Sequence, residues 1–161
     1  MKNTKKELAL KELTEIENRQ KELRRIIEEV EPVKNIMDRV KTFEDAIKLL
    51  SENDNDVLIY NSLKKIFPEN NHVLLYQKLT IISKVLNEGW TPDYNNSNEY
   101  KYYPYFSVGS GFGFSYSLFV SSFTLFGSRL CFKSRELSDY AGRQFIDIYK
   151  EYLILFKKKQ Q

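Results

Sequence analysis

From Tyr100 onward the apolar residues stop recurring at helical intervals and begin to alternate, and that change of period decides the fold class. In "EYKYYPYF", Glu99 to Phe106, and the residues just after it, Tyr102, Pro104, Phe106 and Val108 alternate with Tyr103, Tyr105 and Ser107. This is the two-residue repeat of a strand with two distinct faces. "GSG" then turns the chain, and Phe112, Phe114, Tyr116, Leu118 and Val120 form one face of a second strand, with Gly113, Ser115 and Ser117 opposite. "SRLCFKS" reads as a third strand, with Leu130 and Phe132 on one side and Arg129, Cys131 and Lys133 on the other. A three-stranded antiparallel meander is the expected arrangement. Pro104 has no N–H to give a ladder, which marks its strand as an edge.

Everything outside this stretch has helical spacing, so the predicted class is α+β. From Ala9 to Val30 the seam positions step by four and three: Ala9, Leu13, Ile16, Gln20, Leu23, Ile27, Val30. That rhythm is a short coiled coil with Leu13, Gln20 and Ile27 at a and Ala9, Ile16, Leu23 and Val30 at d. The flanks are almost entirely charged, and Gln20 at an a position selects register or oligomer state at some cost in stability. Leu13, Ile16, Gln20, Leu23, Ile27 and Val30 are therefore the candidate oligomerisation residues; a helix folded back on its own domain is the competing reading. Three heptads are marginal alone and need support from the rest of the chain.

Pro32 ends or kinks that helix. Thr42 stands three residues before Asp45 in a capping-box pattern, ahead of the stripe Phe43, Ala46, Ile47 and Leu50. A short helix follows over residues 57–66. Asn70 or Asn71 caps the next, whose apolar residues from Val73 to Leu86 cover most of its circumference and predict the buried central helix. Gly89 is placed for a left-handed C-terminal position and Pro92 prevents continuation. Ser134 caps a long last helix, with Leu137, Tyr140, Ala141, Phe145, Ile148, Tyr152 and Leu155 on the face that covers the sheet. The expected organisation is a coiled-coil helix over 1–31, a linker over 32–41, an α+β domain over 42–156 and a basic tail over 157–161.

The candidate chemistry points away from catalysis. His72 is the single histidine and Cys131 the single cysteine, on separate elements, and nothing beside either makes a nucleophile and base. No enzyme activity and no cofactor is expected. Asp93, Asn95, Ser97 and Glu99 are spaced like the first oxygen ligands of a calcium loop, but Asn98 stands where the turn glycine belongs and Pro104 where the bidentate glutamate belongs. Turns closed by Asn and Asp side chains explain the spacing better, and no metal is expected. "GSGFGF" links strand to strand with no helix after it, so it is no phosphate loop. The charged opening "MKNTKKELALKELTEIE" lacks the apolar middle of a signal peptide, and no apolar run reaches the about 18 residues of a membrane span.

Charge and aromatics are unevenly spread. Residues 101–161 hold 9 basic and 4 acidic residues, against 5 and 9 in residues 42–100, and 14 of the 23 aromatics fall between Trp90 and Phe132. One sheet face could therefore place Tyr103 and Tyr105 beside Arg129 and Lys133. Aromatic strands commonly serve core packing, and these four are otherwise candidates for a protein partner or for single-stranded nucleic acid, whose bases stack on such platforms.

Two blocks, "LNEGWTPDYNNSNEYKYYPYF" and "GSRLCFKSRELSDYAGRQF", resemble segments shared by a family of small proteins of gut bacteria and of their bacteriophages and prophages. The resemblance covers roughly residues 72–155 and leaves the N-terminal helix outside it. The family has no established activity, so the resemblance carries no site residue across and implies only a phage or mobile-element setting. The combined expectation is a non-enzymatic interaction protein, self-associating through its N-terminal helix and presenting an aromatic, basic domain to a partner. Its expected place is a bacterial cytoplasm or a virion.

Overall fold

The computed structural model describes residues 2–29, 35–124 and 127–154. The chain divides into two compact units, residues 1–34 and 35–161. The described residues of the first form a single helix, α1, Lys2–Glu29. Its surface carries local contacts such as the Glu22–Arg25 ion pair at 3.8 Å and the Thr14 hydroxyl donating to the Leu10 carbonyl at 2.9 Å.

The second unit begins with four helices: α2 (Ile36–Arg39), α3 (Phe43–Lys48), α4 (Asn55–Ile66) and α5 (His72–Leu86). Each opens on a side-chain cap. Thr42 Oγ1 accepts from the Asp45 N–H at 3.1 Å while Asp45 Oδ2 accepts from the Thr42 N–H at 2.9 Å, the capping box that the sequence spacing predicts. Asp54 and Asn71 cap α4 and α5 with a single bond each, accepting from the Asp56 and Val73 N–H groups at 2.9 Å. Ile36 and Val40 are buried in the core, so residues 35–41 of the expected linker over 32–41 belong to the second unit.

α5 is the buried centre, with Leu74, Leu79, Ile81, Ile82 and Leu86 packed among Phe43, Tyr60, Phe132, Leu137 and Phe145. After it, Gly89 takes φ 84° as the loop turns away. The sheet follows: β1 (Lys101–Ser107) pairs antiparallel with β2 (Gly113–Val120).

The sheet has two strands rather than three. Tyr102 exchanges both backbone hydrogen bonds with Phe132, at 3.0 and 2.9 Å, and the ladder stops at that one bridge. In a strand, residues two apart direct their backbone groups to the same side, so continuing the ladder would require an N–H from Pro104, which has none. On the other side of this segment, the neighbour is α5 instead of a strand. Asn87 Nδ2 donates to the Cys131 carbonyl at 2.8 Å and Asn87 Oδ1 accepts from the Lys133 N–H at 2.9 Å, while Ser83 Oγ donates to the same carbonyl at 2.9 Å. One amide side chain thus supplies the donor and acceptor that a neighbouring strand would have supplied. Upstream, Ser128–Leu130 form a 3-10 turn entered through Gly127 at φ 77°.

β2 also departs from simple alternation. Tyr105 pairs with Tyr116 but Phe106 pairs with Phe114, so Ser115 is an extra residue bulging from the ladder. The bulge moves Phe114 to the opposite face from Tyr116, Leu118 and Val120, instead of leaving all of them on one. Phe114 joins Ser117 and Phe119 on the side of Tyr102, Pro104 and Phe106, and that side is covered by α6 (Arg135–Gln144).

The approach of α6 is close. A Cβ on Gly142 would lie 2.3 Å from the Phe114 ring and 2.9 Å from Pro104 Cβ, which makes glycine a requirement of the packing. Ser117 donates to the Asp139 carboxylate at 2.5 Å and lies 2.6 Å from Ser138 Oγ, tying strand to helix. The expected single C-terminal helix is broken at Phe145, whose ψ of 28° leaves the helical range, and α7 (Ile146–Leu153) follows it. α6 lies on the sheet while α7 packs mainly on α5, with Tyr149 reaching the Phe106 ring at 4.8 Å. Leu155 and the basic tail over 157–161 lie outside the described residues. Among the described residues no helix is long and apolar enough to cross a membrane.

Candidate interaction surfaces

α1 presents its seam to solvent. Leu13, Ile16 and Leu23 are between 45% and 55% exposed, and Gln20 between them is exposed as well. Val30 and the side chain of Ile27 lie outside the described residues. Leu10 and Ile26 widen the stripe at its two ends. The described apolar residues of α1 thus form a stripe that is about half exposed along its length.

The four residues expected to share a sheet face are separated by the fold. Alternation does put Tyr103 and Tyr105 on one face of β1, but Tyr103 is 0% exposed and Tyr105 is 45% exposed. The loop between α5 and β1 closes over the near half of that face. Tyr103 Oη lies 2.9 Å from the Tyr94 hydroxyl and 3.1 Å from Thr124 Oγ1, and burial pushes its ionisation far above the ordinary tyrosine range. Tyr105 remains outside, its ring 5.2 Å from that of Tyr116.

Lys101, two residues before Tyr103 and equally buried, is the pin of that closure. Its ammonium donates to the Asp93 and Glu99 carbonyls, meets the Glu99 carboxylate at 3.2 Å and sits 5.2 Å from the centre of the Tyr94 ring. The Glu99 carboxylate also accepts from the Asp93 N–H at 2.8 Å and from Trp90 Nε1 at 3.3 Å, and the first of these, ahead of the ammonium of Lys101, holds its pKa below the usual range. Asp93 and Asn96 close turns onto the Asn95 and Asn98 N–H groups at 2.8 and 3.0 Å. The oxygen spacing that suggested a calcium loop is spent on turns and on a lysine.

Arg129 and Lys133 face elsewhere. Arg129 Nη1 is 3.2 Å from Asp56 at the start of α4, and Lys133 Nζ is 3.3 Å from Glu88 beyond the end of α5. The cations that lie over rings of the two strands come from α6. The Arg135 guanidinium is 5.9 Å from the centre of the Phe119 ring and 5.6 Å from that of Tyr102, and Arg143 is 4.6 Å from that of Phe114. Phe119 and Tyr100 stand edge to face at 5.0 Å, and both are about half exposed. Tyr100, Phe119 and Arg135 therefore make the exposed aromatic and basic patch that the sequence led one to seek at Tyr103 and Arg129. The spacing of Arg135 and Arg143 puts both on one helix, but which rings they meet depends on how α6 lies on the sheet and, for Phe114 alone, on the bulge.

A polar cleft opens on α5. Thr80, Ser83, Lys84 and Asn87 recur at helical intervals and form one polar stripe along the C-terminal half of a largely apolar helix. With Asp56, Trp90 and Arg129 they line a cavity of about 180 Å³. Lys84 Nζ reaches Asp54 and Asp56 at 2.8 Å; burial opposes its charge, and the hydrogen bonds to the two carboxylates outweigh that and raise its pKa. Thr80 Oγ1 is the single buried side-chain polar atom without a hydrogen-bond partner among the described residues.

No family model matches this chain, and no curated protein or solved structure is detectably similar to it.

Proposed function

We propose that the protein is a non-enzymatic interaction protein in which α1 joins copies of the chain and the second unit meets a different partner. The observation that carries this reading is the exposed Leu13, Ile16 and Leu23 seam. A helix of 28 residues with a charged surface has little reason to keep such a stripe unless another helix covers it. The patch of Tyr100, Phe119 and Arg135 supplies the second contact: aromatics and arginine are the residue types enriched where protein partners bind. The resemblance of residues 72–155 to phage and prophage proteins fits a virion or assembly component, acting in a bacterial cytoplasm or in the particle.

The test is the mass of the full chain in solution, by light scattering, beside that of a Leu13→Asp, Leu23→Asp variant. An oligomer that becomes a monomer on substitution supports the reading. Monomeric mass for the unaltered chain across the micromolar range ends it.

A second reading, single-stranded nucleic acid, draws on the same patch, because Arg135 over Phe119 repeats the pairing of cation and aromatic on which bases stack. The burial of Tyr103 moves that reading from Tyr103, Tyr105, Arg129 and Lys133 to Tyr100, Phe119 and Arg135. A labelled oligonucleotide that fails to bind at low salt disposes of it.

A further inference from the structure

Resting on self-association through α1, we infer that the second copy runs antiparallel to the first. In a parallel pair with Leu13 and Gln20 at a, each g residue faces the e residue five positions on in the other helix. Glu12 then meets Glu17 and Arg19 meets Arg24, so both contacts, each made twice, join like charges. Reversing one helix puts e against e. The alignment that sets Gln20 of one copy opposite Leu23 of the other brings Glu17 against Arg24, again twice, and both contacts become attractive. Sliding that alignment by a heptad in either direction sets Glu17 against Glu17 or Arg24 against Arg24, so the charges choose register as well as direction.

Gln20 fits the same arrangement. The two-fold axis falls between the two layers made by Gln20 and Leu23, which leaves the two glutamines only ~4.5 Å apart along the helices, within reach of each other across the axis. The C-terminal ends of the two helices are then separated by about 22 Å along the pair, whereas a parallel pair would set them side by side. The assembly is accordingly a bridge that offers its second units to two separated sites.

Sedimentation of the full chain at low salt distinguishes the two directions by sign. Glu17→Lys converts both attractive contacts of the antiparallel pair into repulsive ones, and its dissociation constant is expected to rise about tenfold. The Glu17→Lys, Arg24→Glu double variant is expected to return to within about twofold of the unaltered chain, because each contact is restored with its charges exchanged. In a parallel pair Glu17→Lys relieves the repulsion from Glu12 and tightens association, so tighter or unchanged association of the single variant overturns the inference while leaving self-association intact. A chain that is monomeric before any substitution overturns the underlying reading instead.

Discussion

The two units of this protein treat their apolar residues in opposite ways. In α1 the leucines and isoleucines from residue 10 to residue 26 are about half exposed and the helix is held by local contacts. In the second unit most apolar residues of α5, from Leu74 to Leu86, are sealed, and even polar groups such as Lys101 and Asn87 are enclosed and hydrogen-bonded. The contrast is between a helix whose described apolar stripe stays half exposed and a unit that pairs its buried polar side chains, Thr80 Oγ1 excepted, within itself; under the proposed function the first is the surface left for another chain.

The sharpest challenge to that contrast is a matched pair on β1. Tyr103→Ala is expected to lower the stability of the second unit by about 3–5 kcal/mol, the range for deleting a buried aromatic, while Tyr105→Ala shifts the urea midpoint little. Similar effects at both positions would mean the loop does not close over Tyr103. Next in size is Asn87→Ala, which leaves the part-buried Lys133 N–H without its acceptor and removes one donor from the buried Cys131 carbonyl, for an expected loss of about 2–3 kcal/mol in the same measurement. Gly142→Ala forces a methyl group into the Phe114 ring and should cost about 2 kcal/mol, with a larger loss for any branched residue.

Acid should act on the second unit by a smaller amount. The Lys84 hydrogen bond holds the Asp54 carboxyl below its ordinary range, and that of Lys78 does the same for Glu69. A carboxylate with a depressed folded pKa contributes stability that is present above its unfolded value and lost as pH falls through the folded one. The urea midpoint should therefore decline once pH drops below about 4. Asp54→Asn, which keeps a capping side chain but no charge, should flatten part of that decline and lower neutral-pH stability by on the order of 1 kcal/mol. Smallest of all, Leu13→Asp in α1 should leave the urea midpoint of the second unit within about 0.5 kcal/mol of its original value, because that side chain is not part of the second unit's core. A large shift there would erase the distinction between the two units.

Much of this division can be read from the sequence, and the places where it cannot share a cause. Period and capping are local, so the α+β class, the Thr42 box, the buried α5 and the left-handed Gly89 follow from neighbours a few residues apart. The third strand failed because Pro104 and Asn87 act on residues 131–133 across dozens of positions. The shared face of β2 failed because a single extra residue, Ser115, inverts everything on one side of it without changing composition. The candidate surface shifted for the same reason: alternation fixes that Tyr103 and Tyr105 point the same way, but not that a lysine two residues earlier fastens a loop over one and leaves the other outside. The polar stripe on α5 was visible at its spacing and was masked by the apolar residues around it.

Cys131 is fully buried, its sulfur lies 3.2 Å from the Ser128 carbonyl, and burial pushes its thiol pKa up. A soluble alkylating reagent can reach it only when the structure closed over it, whether the loop carrying Tyr94 or the segment held by Ser83 and Asn87, opens. With no other sulfhydryl in the sequence, the rate at which the intact protein takes up one label becomes a clock for that opening, read by mass spectrometry without any engineered reporter.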